Sequence, residues 1–121
     1  MDVKSIKAAF DEISEHWSPK VIAEVNGQYL KVAKIKGEFV WHDHAGEDEL
    51  FWVIRGEMAL EFRDRTVTLK EGDVYVIPKG VEHKPFAEEE CWVALVEPKE
   101  TKHTGDVESE YTKSIAEQLQ D

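Results

Sequence analysis

WHDHAGEDELFWVIRG, residues 41–56, sets two histidines around one aspartate, adds the acids Glu47, Asp48 and Glu49, and then turns apolar. It reads either as a charged surface loop entering a strand or as half of a metal site. On a strand, residues i and i+2 point to the same face, so the imidazoles of His42 and His44 converge and Asp43 faces away. If AGED turns the chain into an antiparallel return strand, Glu49 comes back beside the pair. Two imidazoles and one carboxylate on one side of a divalent ion form a known arrangement for metals with open positions.

Working outward, the flanks have the period of strands. VIAEV, Asn26-Gly27 and QYLKVAKI read as a hairpin, because Asn-Gly supplies the positive φ angles of a type I′ turn. EFVWH, ELFWVIRG, EMALEF, TVTL, DVYVIP and CWVALVEP follow as short runs broken at Gly37, Gly56, Asp64, Gly72 and Gly80. Short strands with no helical pattern between them predict an all-β sandwich or barrel. Before them, Val3, Ile6, Phe10, Ile13 and Trp17 form one apolar stripe at helical spacing, ended by Ser18-Pro19. The chain therefore divides into an N-terminal helix over 1–18 packed on a barrel over 21–98, with a polar tail over 99–121 that is frayed or weakly helical. All three belong to a single domain.

Downstream, EGDVYVIPKGVEHKPF holds a Pro-Lys-Gly turn and, three residues after Gly80, His83. A histidine there folds back toward a barrel mouth and becomes a fourth ligand candidate. At this point the chain resembles the cupins, a family of small β-barrels. Their first motif, G-x5-H-x-H-x(3,4)-E-x6-G, appears as Gly37, His42, His44, Glu49 and Gly56. Their second, G-x5-P-x-G-x2-H-x3-N, appears as Gly72, Pro78, Gly80 and His83. There are two departures: four residues rather than five separate Gly37 from His42, and Ala87 stands where the pattern has asparagine. Neither removes a ligand. The resemblance implies a double-stranded β-helix, or jelly roll, with one divalent transition metal per chain on His42, His44, Glu49 and His83.

Three imidazoles and one carboxylate, without thiolate, leave Fe, Mn, Ni, Co, Cu and Zn all open as the metal. Four protein ligands on an octahedral ion leave positions for a substrate, which marks a reactive site rather than a closed structural one. Val40 and Phe51 are expected to line it. Tyr75 and Glu82 are the candidate catalytic groups, the first as a hydrogen-bond donor and the second as an acid or base. Glu47 is the substitute ligand if Glu49 faces outward. His16 on the helix, His103 in the tail and the solvated run Glu88–Glu90, read as a hairpin tip, stand outside the site.

The bulk numbers narrow the function. The 121 residues carry 15 Lys and Arg against 26 Asp and Glu, a net charge of −11. Such a surface repels nucleic acid and anionic membranes. No apolar run approaches the ~20 residues of a membrane span, and no signal-peptide pattern is present, so a cytoplasmic location is expected. Cys91 stands alone in CWVALV, a packed strand residue rather than a nucleophile. Trp41 alternates with His42 and so faces outward. It needs cover from the first helix or another subunit, which with the family resemblance predicts a homodimer. The reading that follows is a metal-dependent cupin enzyme acting on a small polar molecule by oxygenase, isomerase or lyase chemistry. The alternative is a cupin that binds a small ligand without turnover.

Overall fold

The computed structural model describes residues 2–101, 104–105 and 112–119. Its elements are α1 (Ile6–Asp11), β1 (Lys20–Val25), β2 (Gln28–Glu38), β3 (Glu49–Arg55), β4 (Glu57–Phe62), β5 (Thr66–Lys70), β6 (Val74–Ile77), β7 (His83–Pro98) and α2 (Ile115–Gln118). All strand pairs are antiparallel, and the all-β jelly-roll expectation holds. The order is β1-β2-β7-β3-β6, with β4 pairing both β5 and β7. The 16-residue β7 makes the barrel, because its first half pairs with β4 and its second half lies between β2 and β3. Among the described residues no helix is long and apolar enough to cross a membrane.

Asn26 and Gly27 turn the first hairpin with φ of 51° and 77°, as a type I′ turn requires, and Val25 pairs directly with Gln28. Alternation then sorts the side chains. Ala33 and Ile35 of β2, Phe51 and Val53 of β3, and Val93 and Leu95 of β7 point inward, into a core closed by Met58, Leu60, Phe62, Leu69 and Ile77. Val32 and Ala94 point outward and are buried under Phe10 and Ile13 of the N-terminal segment. Phe10 stacks on Trp92 with ring centroids 4.7 Å apart.

Three expectations are corrected here. The helix covers Ile6–Asp11, not the whole of 3–17. Ser5 caps its start by accepting from the Ala8 N–H, and Val3 is fully exposed. The apolar stripe serves two cores: Phe10 and Ile13 sit on the outer face, whereas Trp17 enters the inner core, which one straight helix could not reach. Trp17 makes that turn with φ of 61°, donating its backbone N–H to the Lys34 carbonyl at 2.9 Å.

Glu88–Glu90 are not a hairpin tip but lie inside β7. One residue of β2, Lys36, faces all three across a bulge between the pairs Ile35–Cys91 and Gly37–Ala87, which leaves the acids exposed. EFVWH is not a strand of its own. Its first residue ends β2, and residues 39–48 form a loop with a single bridge at His42. His103 and part of the polar tail lie outside the described residues.

Candidate metal centre

The loop that carries the two histidines is irregular yet firmly held. Its backbone is clamped to the segment entering β7. The Phe39 N–H donates to Pro85 at 3.0 Å, and the Gly80 N–H donates to His44 at 2.8 Å. His42 and His83 exchange two backbone hydrogen bonds of 3.0 and 2.9 Å. The Lys79 N–H donates to the Asp48 carboxylate at 2.8 Å, fixing the approach to Glu49. The Pro78-Lys79-Gly80 turn thus serves as a template for the first histidine pair as well as the lead-in to His83.

His42, His44, Glu49 and His83 are all buried, and one ligand atom from each lies within 4.8 Å of every other. Glu49 Oε1 is 3.4 Å from His44 Nε2 and 3.6 Å from His83 Nε2. These gaps are too long for good hydrogen bonds. All three atoms are buried without a hydrogen-bond partner. Ligands about 2.1 Å from one ion sit roughly 3–4 Å from each other, so the spacing suits four donors around a shared cation. Leaving such groups buried and unpaired is costly.

The tautomers agree. His42 Nδ1 donates to the Val40 carbonyl and His83 Nδ1 to the Val81 carbonyl, each at 2.9 Å. A carbonyl only accepts, so the proton of the neutral ring sits on Nδ1, and the Nε2 lone pair is left for a metal. Burial, with help from His83, lowers the His42 pKa to about 4, so that ring is neutral at ordinary pH. Burial alone would also lower His44, but the Glu49 carboxylate beside it, with Glu47 and Asp43, reverses the direction and raises it. Burial alone would raise Glu49. Close polar contact with His44 and His83 outweighs that and holds the carboxylate well below its usual range.

A cavity of about 40 Å³ adjoins His42 and Glu49. Its other walls are apolar, among them Trp17, Phe39, Phe51 and Leu95. Trp17 and Phe39 stack at 4.5 Å, and Trp17 Nε1 donates to the Lys36 carbonyl at 2.8 Å, which fixes the indole as one wall. Phe51 lines the cavity as the sequence suggested. Val40 instead packs against the core and holds His42 through its carbonyl.

The other candidates lie elsewhere. The Tyr75 hydroxyl accepts from Arg65 Nη2 at 3.0 Å, and its ring rests against Phe62, one ring removed from His83. Glu82 is exposed and accepts from Arg63 Nε at 2.7 Å, a contact that lowers its pKa. Neither lines the cavity. Glu47 accepts from the Gly46 N–H and is not among the converging ligands. His16 is exposed and meets Glu90 at 3.1 Å. Trp41 is covered by the Arg63 guanidinium, 3.7 Å from the ring, and more distantly by Lys84, not by the helix. Cys91 is buried, and burial together with the charge of Glu57 pushes its thiol up to about 12, so it offers no thiolate.

One polar group went unnoticed in the sequence. Lys31 and Glu97 are fully buried, with Lys31 Nζ 3.0 Å from Glu97 Oε1. Their signal was alternation: Lys31 is in phase with Ala33 and Ile35, and Glu97 with Val93 and Leu95, all inward-facing. Burial holds the Glu97 carboxyl well above its usual range. The neighbouring Glu49 carboxylate adds to this and Lys31 opposes it.

Comparison with known proteins bears on the same residues. The Cupin domain family matches residues 29–97, which include all four clustered side chains. An uncharacterised protein of Bacillus subtilis (strain 168), YdbB, is 37% identical over 83 residues, which make up 68% of this chain and 74% of that one. A cupin-2 domain containing protein of Shewanella frigidimarina NCIMB 400 superposes with a TM-score of 0.78 at 51% identity, covering 79% of this chain and 94% of that one. Protein NMB1881 of Neisseria meningitidis gives 0.75 at 32% identity, covering 80% and 99%.

Proposed function

The chain belongs to the cupin family, and on that premise we propose that it is a metal-dependent enzyme for a small organic molecule, with one divalent transition ion held by His42, His44, Glu49 and His83. The observation that carries this reading is the set of buried, unpartnered donor atoms on His44, Glu49 and His83, facing one another at ion-sharing distances. Such an ion supplies Lewis-acid polarisation to an oxygen-bearing group. The chain's own residues do the rest. Val40 and Val81 orient two imidazoles, while Trp17 and Phe39 wall the cavity against water.

The cavity refines the substrate. Among the described residues its walls carry no Lys or Arg, which disfavours an anionic ligand. By volume it has room for roughly two or three water-sized groups. The reading is a neutral molecule with a polar end at the metal and a short apolar end among Ile35, Phe51 and Leu95. Oxygenase, isomerase and lyase chemistry all suit an open site of this type. To test turnover, metal-loaded protein is incubated with small hydroxyketones, diketones and enediols, with and without O₂, and followed by NMR and oxygen uptake. Consumption of one compound that disappears in His83→Ala supports the enzyme. Saturable binding with no product in any mixture favours the non-catalytic ligand-binding cupin.

A second copy of the chain is the proposed partner. With Trp41 covered, the argument for a homodimer passes to Trp52, Val74 and Val76, which lie exposed on the outer face of β3 and the edge strand β6. Trp52 pairs directly with Val74, so the three form one patch. Sedimentation velocity should give a dimer that Trp52→Glu converts to monomer. A monomeric wild type contradicts the pairing.

A further inference from the structure

The inner rows of β2, β7 and β3 are apolar until their last layer. In β7 the row runs Cys91, Val93, Leu95 and then Glu97. In β3 it runs Val53, Phe51 and then Glu49. Leu50 pairs with Val96, so Glu49 and Glu97 follow as cross-strand neighbours on the inner face. Lys31, on β2, stands diagonally across from Glu97, since it pairs with Leu95. Lys31 Nζ also donates to the Gln118 side-chain carbonyl of α2. Both oxygens of Glu97 are buried without a hydrogen-bond donor, although the Lys31 ammonium is 3.0 Å from one of them.

Stability alone is a weak reason to keep such a pair. Replacing a buried ion pair with apolar residues of similar volume is often neutral or stabilising. The Lys31–Glu97 pair does have one neighbour whose orientation matters, and that is the carboxylate of Glu49. Groups that contact a metal ligand set its direction and basicity.

We propose that Glu97, held by Lys31, is a positioning residue for the metal ligand Glu49, and that Gln118 ties this support to the C-terminal segment. The inference rests on the metal-binding reading above and adds residues that hold no metal themselves. The tail is fitted to the same end of the molecule a second time. Gly105, with φ of 61°, lies so close to the Asp43 carbonyl that a Cβ there would collide with it. The His42-Asp43-His44 loop and the Glu49 support are thus both braced by residues beyond β7.

Two double variants of matched charge test this, with Co(II) as the probe because its visible absorption reports ligand geometry. Lys31→Met with Glu97→Leu removes the pair and its contact with Glu49. Lys31→Met with Glu97→Gln removes the charges but keeps a hydrogen-bonding group facing Glu49. Both should stay folded. The leucine variant should bind Co(II) about 10–100-fold more weakly than wild type, with a changed visible spectrum, and the glutamine variant should recover most of the affinity and the wild-type spectrum. If both variants bind with wild-type affinity and spectrum, the pair is structural only and the inference is wrong. If the leucine variant does not fold, Gln118→Ala decides. It leaves the strands untouched and should weaken Co(II) binding severalfold, and an unchanged Kd overturns the inference equally. A wild-type chain that takes up no Co(II) overturns the metal-binding reading itself and this inference with it, whereas wild-type binding with insensitive variants overturns the inference alone.

Discussion

Strands β2, β7 and β3 bury residues on both of their faces, and the two faces differ in kind. On the outer face Phe10 and Ile13 cover Val32 and Ala94, and every group in that cluster is apolar. On the inner face the apolar rows give way to buried polar groups, and the atoms of His44, Glu49 and His83 that face one another have no hydrogen-bond partner. Removal of apolar area from water explains the first face completely. The second face runs against that driving force, since burying unpaired polar groups is unfavourable. Something must pair them, and a cation shared by three imidazoles and a carboxylate is the partner that their spacing fits.

The comparison breaks first, and most completely, at the ligands. His83→Ala or His42→Ala should abolish stoichiometric metal binding while circular dichroism still reports a folded barrel. Full occupancy in either variant would mean that the inner face is paired by something else. The outer face should answer in the opposite way. Phe10→Ala removes a fully buried ring stacked on Trp92 and should lose about 3–5 kcal/mol of unfolding free energy by urea titration. It should still bind one ion per chain wherever it is folded. Loss of metal at full folding would show that the faces are coupled.

Acid sharpens the contrast in the metal-free protein. His42 titrates at about 4 when folded and near 6.5 when unfolded, so between those values the unfolded chain binds a proton that the folded chain refuses. Stability contributed by its neutral ring is therefore present above pH 6.5 and lost as pH falls toward 4, by about 3 kcal/mol at most. His44 and Glu97, whose pKa values are raised, act in the opposite sense and offset part of the loss. The contribution of Glu49 begins to fail only below the unfolded carboxylate range. Across urea midpoints at pH 7, 5.5 and 4.5, the wild type should lose more stability toward acid than His42→Gln does. A wild type with the same pH dependence as His42→Gln would mean that His42 is not buried as a neutral ring.

The smallest effects belong to residues outside both faces. His16→Ala breaks an exposed contact with Glu90, and Glu47→Ala removes a side chain bonded only to the neighbouring Gly46 N–H. Each should change stability by no more than about 0.5 kcal/mol, and elemental analysis should find metal content unchanged. A drop in metal for either would add a ligand to the four.

The four clustered residues were legible because their spacing is local to two short motifs, and because Pro78-Lys79-Gly80 is recognisable as a turn. The strands were legible from alternation and from Asn26-Gly27. What escaped depended on contacts between distant segments. Residues 39–44 satisfy strand-like hydrogen bonds at a few points only, against the Pro78–Pro85 stretch, so periodicity misreads them as a strand. Trp17 continues a helical spacing but serves the inner core, which a one-dimensional pattern does not distinguish from the outer one. Lys31 and Glu97 stood in phase with inward residues from the start. Phase alone does not single out a charged strand residue as buried, and their partnership needs β2 and β7 side by side.

Whether the inner cluster holds an ion is open to direct measurement. The direct measurement is elemental analysis of untagged protein, purified without chelator from cells supplied with several divalent metals, with His83→Ala prepared in parallel. One transition metal per chain is expected in the wild type and none in the variant. A folded wild type free of metal under every supply, or a variant that retains it, would show that these four side chains do not hold an ion.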